Sequence, residues 1–240
     1  MRRIGLAIVL TTAAAFALVA PSSAFPATRV GSPLTGDFSA SSRSCTPACT
    51  DFNTVLPEPG ANVISPIKGI IVRWRMMGNA SGASFQLRVV HPTGGGQFIG
   101  AGTSSPAVPT GAGPSTFATN LPINAGDMIG LNLPSGITWN GHSTPLPGAR
   151  FVSVQPTLTE SLPAQTPNFT VNDAEEGVNA DVEADCDNDG LGDETQDPDL
   201  PAACKPASQP VQAVTKKKCK KKHKHHAFSA KKHCKKKKNG

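Results

Sequence analysis

Between Asp185 and Asp197 the chain reads D-C-D-N-D-G-L-G-D-E-T-Q-D. Carboxylates at alternate positions repel one another when packed as bare anions, and each raises its neighbours' proton affinity. A hard divalent cation removes that conflict. Numbered from Asp185, side-chain oxygens fall at positions 1, 3 and 5 (Asp185, Asp187, Asp189) and a turn glycine at position 6 (Gly190). A backbone carbonyl follows at position 7 (Leu191) and a further carboxylate at position 9 (Asp193), the spacing of a calcium loop. Position 12, where a bidentate acid usually closes such a loop, is Gln196, flanked nearby by Glu194 and Asp197. The candidate ligands are therefore Asp185, Asp187, Asp189, Leu191 through its carbonyl, Asp193 and Asp197, and the expected ion is calcium. The competing reading is an acidic linker without a fixed ligand. Pro198 and Pro201 stop a helix from leaving the loop.

A second chemistry lies at the carboxyl end. Residues 173–199 hold twelve acidic residues and no Lys or Arg, whereas residues 205–240 hold fourteen lysines and no acid. A lysine-rich run with almost no apolar residues is expected to be a disordered polycation. It suits anionic polymers or an anionic lipid surface, which it would hold by counterion release. Lysine as a point charge favours many phosphates over bidentate recognition of one. The plain alternative is a solubilising tail. His223, His225, His226 and His233 lie there with Cys219 and Cys234, a set that could take a transition metal, although the ammonium groups around them oppose a cation. An electrostatic switch is a further expectation: without calcium the acidic loop attracts the lysine tail, and metal binding frees it.

Catalytic signals are sparse. The body carries His91 and His142, both in turn-like contexts, with Ser143 beside the second and Asp127 as the acid nearest in sequence. There is no G-x-S-x-G elbow, phosphate-binding glycine loop or H-E-x-x-H helix, and the expectation is a protein that is not an enzyme. Trp139, beside Asn140 and His142, is the one candidate platform for a sugar ring.

The elements that must position these residues begin with an export signal. Met1-Arg2-Arg3 precedes an uncharged apolar stretch from Ile4 to Ala20, and Ser22-Ser23-Ala24 offers small residues for cleavage before Phe25. A single amino-terminal anchor is the alternative; no other segment has the length to span a bilayer. The chain is thus expected to be secreted or associated with the cell envelope, which removes cytosolic nucleic acid from its specific partners. The six cysteines form three near neighbours, Cys45 with Cys49, Cys186 with Cys204, and Cys219 with Cys234. Local disulfides are the simplest connectivity, with half a zinc site the alternative for Cys45 and Cys49.

From Asp51 to about Ala184, short apolar runs alternate with Gly, Pro, Ser and Asn, and no sustained helical period appears. In Ile70–Met76 the alternation puts Ile70, Val72, Trp74 and Met76 on one face and Arg73 and Arg75 on the other. Phe85, Leu87 and Val89 alternate with Gln86 and Arg88 in the same way. Further strands are expected at 52–56, 62–65, 97–102, 116–120, 128–133, 137–140, 150–155, 169–172 and 178–183. The fold class is all-β, an antiparallel jelly-roll-like sandwich with Trp74 as a core anchor. The plan is a signal peptide (1–24), an extension with Cys45 and Cys49 (25–50), the sandwich (51–184), the calcium loop segment (185–204) and the basic tail (205–240).

The loop resembles the thrombospondin type 3 and dockerin-like relatives of the EF-hand, in which such loops bind calcium and rigidify their surroundings. The succession C-x-x-x-C-T, G-I-I-V-R-W-R, A-G-D-M-I-G-L, the acidic loop and the Lys-rich end resembles a family of uncharacterised exported bacterial proteins. That resemblance implies a secreted sandwich followed by a calcium loop. The function expected is a binding or structural protein attached to anionic envelope or matrix polymers; the alternative is a carbohydrate-binding surface protein, with a polysaccharide as partner.

Overall fold

The computed structural model describes residues 26–36, 38–78, 82–111, 113–142 and 145–205, and backbone alone within 39–43 and 138–142. The stretch read as an export signal, residues 206–240 with Cys219, Cys234 and the histidines there, Ser143 and the side chains of Trp139 and His142 lie outside the described residues.

Twelve strands form the described part: β1 (Thr28–Gly31), β2 (Phe38–Ser44), β3 (Cys49–Val55), β4 (Gly69–Met77), β5 (Gln86–Gly94), β6 (Gln97–Thr103), β7 (Pro114–Ile123), β8 (Met128–Leu133), β9 (Thr138–His142), β10 (Arg150–Val154), β11 (Phe169–Asn172) and β12 (Val178–Glu183). One sheet runs β1-β12-β4-β7, the facing sheet β11-β10-β3-β8-β5-β6, and β2 with β9 make a separate ribbon. All pairings between these strands are antiparallel. With β2, β9, β10 and β11 set aside, the eight remaining strands renumbered in chain order run 1-8-3-6 and 2-7-4-5, the double Greek key of a jelly roll. The stretch read from sequence as an extension supplies β1 and β2, and β1 closes the edge of the first sheet against β12. Residues 62–65 form isolated bridges, Gly31 with Asn62 and Ile64 with Met128, in place of a strand.

The main core lies between the sheets, where Ile71, Trp74, Met76, Phe85, Leu87, Val89, Leu131, Phe151, Val178, Ala180 and Val182 are buried together. Trp74 fills its centre, its ring centroid 4.7 Å from that of Phe117. The alternation read from β4 needs correcting. It is Ile71 that joins Trp74 and Met76 in the core; Ile70 and Val72 are buried outside it. A bulge between Ile71 and Arg73 interrupts the register toward β7, and the β12 ladder shifts at the matching place. The extra residue inverts which side chains face inward.

The outer face of the six-stranded sheet is not solvated as simple alternation implies. Phe52, Val90, Met128, Val152, Val154 and Leu158 form a second cluster there. Arg88, read as an outward polar residue, is only 4% exposed. Its guanidinium reaches the Leu158 carbonyl at 2.7 Å, Glu160 at 2.8 Å and the Thr103 hydroxyl, tying residues 158–160 across the sheet. Disulfides join Cys45 to Cys49 and Cys186 to Cys204, the local connectivity expected for these two pairs. Two disulfides fit an oxidising compartment. Among the described residues no helix is long and apolar enough to cross a membrane.

Candidate metal centre

The acidic loop follows directly from β12 and folds back onto the outer face of the four-stranded sheet. Glu183, the last residue of that strand, is 2% exposed. Its carboxylate accepts the Glu194 N–H at 3.0 Å, the Thr195 N–H at 2.8 Å and the Thr195 hydroxyl at 2.8 Å. Val72, pushed outward by the bulge, meets the loop at Gly192. A Cβ on that glycine would lie 2.5 Å from Val72 Cγ1 and 2.6 Å from Glu183 Oε2, so only glycine fits. Gln196 explains why position 12 is not an acid: its Oε1 accepts the Gly192 N–H at 3.2 Å, and its Nε2 donates to the Thr119 carbonyl of β7 at 2.8 Å. The residue docks the loop. The Cys186–Cys204 bond closes the segment from its far side, and Lys68 Nζ donates to Asn188 at 2.8 Å.

Within this frame the aspartates converge. Asp185, Asp187 and Asp193 can each present a carboxylate oxygen within 4.8 Å of the others, and Asp187, Asp189 and Asp197 do the same. The two sets share Asp187. Gly190 turns with φ of 85°, the left-handed conformation that position 6 requires. Asp189 accepts the Leu191 N–H at 2.8 Å, and Asp185 accepts the Gly190 N–H at 3.3 Å. Leu191 is half-buried between these acids. Asp197, one place beyond the usual closing position, enters the second set because Gln196 and Asp197 both donate N–H bonds to the Gly192 carbonyl at 3.0 Å, which tightens the turn.

Two observations bear on whether a cation fits. Asp185 Oδ1 and Asp197 Oδ2 are buried and have no hydrogen-bond partner among the described residues, a costly state for anionic oxygen. Asp193 is 8% exposed; burial pushes its carboxyl up from the ordinary range, with the charges of Asp185, Asp187 and Asp197 adding to the shift against one hydrogen bond from the Cys186 N–H. The donors brought together are all oxygens, the ligand set of a hard cation.

The histidine signal resolves differently from its sequence reading. His91 lies on β5, and its Nδ1 is 2.7 Å from Asp127 Oδ1. Asp127 is buried, and its other oxygen accepts the Asn124 backbone and side-chain N–H groups at 2.8 and 3.2 Å, capping the turn before β8. The bond the His91 ring makes among the described residues is this one, to Asp127. Sequence reasoning missed Glu183 and Gln196, which position the loop; their only signal was the replacement of an acid at position 12. No family model, no curated protein and no solved structure matches this chain.

Proposed function

We propose that the protein is an exported, non-catalytic binding or structural protein whose last folded segment is organised by calcium. Its lysine tail would hold it to anionic envelope or matrix polymers. The observation that carries the metal part is the convergence of five aspartates in two oxygen sets that share Asp187, with two buried carboxylate oxygens left without donors among the described residues. Asp185, Asp187 and Asp193 would hold one ion, and Asp187, Asp189 and Asp197 a second, with the Leu191 carbonyl available to the set. A loop of this kind adapts to the six to eight ligands calcium prefers more readily than to the rigid octahedron of magnesium. Bound calcium would neutralise the mutual repulsion of the acids. It would also lock the segment between Glu183 and Cys204.

The disulfides and the amino-terminal apolar stretch support secretion. At extracellular calcium concentrations a dissociation constant of about 10⁻⁴ to 10⁻³ M suffices. Calorimetric titration of the mature chain is expected to give saturable calcium uptake, lost in an Asp187→Ala, Asp189→Ala variant. Absence of uptake by the unaltered chain at several times that concentration would remove the metal from the proposal. Pull-down by anionic wall fragments, with the tail present and deleted after residue 205, tests attachment separately.

A further inference from the structure

The outer face of the four-stranded sheet carries a second charged arrangement beyond the acidic loop. Arg29 on β1, Asp181 on β12 and Arg73 on β4 stand directly opposite one another across three neighbouring strands. Arg75 lies two residues further along β4, opposite Asn179. Arg75 grips Asp181 with a two-pronged fork, Nη1 to Oδ1 at 3.0 Å and Nη2 to Oδ2 at 2.8 Å. That fork alone neutralises the carboxylate and satisfies both of its oxygens.

Arg29 and Arg73 add to a pair already complete. Each touches Asp181 only through Nε, Arg29 at 3.4 Å. Their terminal NH₂ groups make no hydrogen bond among the described residues, and their side chains are 51% and 43% exposed. Three guanidinium charges on one carboxylate leave an excess of two positive charges. Cross-strand pairing with Asp181 accounts for the Nε contacts, each worth a fraction of a kcal/mol. It does not account for two like charges that share one carboxylate while their side chains stay about half exposed.

Asp181 instead acts as a post that draws two guanidinium groups together. The β7 residues opposite Arg75 and Arg73, Thr116 and Ala118, are uncharged. The nearest acid along β12, Glu183, is occupied by the loop N–H groups. A tetrahedral oxyanion of charge near −2 matches both the excess charge and the paired forks; a single carboxylate matches only half of either.

We propose that Arg29 and Arg73, held over Asp181, form a binding site for a phosphate-type dianion, free or carried on an anionic polymer. The two arginines stand on strands of the folded sandwich, outside the acidic loop and the lysine tail in sequence.

The test is a titration of the full mature chain followed through its arginine Nε–H NMR signals, which separate this face from the tail lysines. Inorganic phosphate at pH 8 is expected to shift the Arg29 and Arg73 signals saturably, while acetate at equal ionic strength requires at least about tenfold more. A parallel arm with inorganic polyphosphate identifies the source, since lower half-saturation per phosphate group marks the polymer and equal half-saturation marks the free ion. An Arg29→Gln, Arg73→Gln variant is expected to lose at least tenfold in affinity, whereas Arg150→Gln on β10 leaves it unchanged. The double variant keeps the Arg75 fork, and its melting temperature reports whether it folds. An Asp187→Asn chain should bind phosphate as before, which separates this site from the metal reading. Signals that stay still with both phosphate probes, an equal response to acetate, or full affinity in a folded double variant would overturn the proposal.

Discussion

Asp181 and Asp193 are both buried carboxylates on the same side of the same sheet, twelve residues apart, and they meet opposite electrostatic surroundings. Burial alone pushes the Asp181 carboxyl up, yet hydrogen bonds and charge from Arg75 and Arg73 outweigh it and hold the group far below the ordinary carboxylate range. Asp193 has one backbone donor and three like-charged neighbours, and its shift runs upward. The strand residue finds its cations within the chain, and the loop residue has no ion pair among the described residues. A third buried carboxyl takes another way out. Glu175 is fully buried at the other end of the sandwich; burial first, then the Glu58 charge, pushes it up to about 8.

This contrast makes predictions of different sign. The largest effect is expected from Asp181→Ala, which leaves three guanidinium groups without their anion. Breaking a buried pair costs about 3–5 kcal/mol, and the exposure of Arg29 and Arg73 places this one near the lower bound, about 3 kcal/mol. Denaturant unfolding should give that loss equally with and without calcium.

Next is pH. Glu175 holds more protons folded than unfolded between its ordinary value of 4.5 and about 8, so stability falls as pH rises through that window. Asp181 contributes stability that is present above 3.8 and lost as pH falls further toward its folded value. Thermal melts should therefore peak in the weakly acid range. Glu175→Gln is expected to flatten the alkaline limb and leave the acid limb unchanged.

The smallest but sharpest effect belongs to Asp193→Asn. Without calcium it removes like-charge repulsion while keeping an acceptor for the Cys186 N–H, and a stabilisation of about 1 kcal/mol is expected. With calcium the order reverses. The unaltered chain gains about 2.7 kcal/mol at a hundredfold excess over its dissociation constant, and the variant gains little. Calorimetric melts with and without the ion give both signs in one experiment, and a variant destabilised in both conditions would erase the distinction drawn from Asp181.

The loop was legible in sequence because its acids are local: side-chain oxygens at fixed intervals around Gly190 need only one tight turn to converge. Asp197 could be picked beside an unexplained Gln196, but the reason for that glutamine could not. It bonds Thr119, 77 residues away. Alternation revealed most strands, since a half-buried strand leaves its period in the residue types. It gave the wrong inward face for Ile70–Val72, where one bulged residue breaks the period without changing composition. Arg88 also read as an outward residue of ordinary alternation, although Leu158 and Glu160 pack over it on that face.

From its own order of residues the chain determined an all-β class, an acidic loop with calcium spacing, and the separation of acid from lysine. These depend on periodicity, local spacing and composition, which require no knowledge of distant partners. Tertiary structure alone decided the jelly-roll order, the recruitment of β1 and β2, the docking of the loop through Glu183 and Gln196, and the meeting of Arg29, Arg73 and Arg75 at Asp181. Each of those brings together groups far apart in the chain, and cross-strand register, which sets such meetings, is fixed only when the sheet forms.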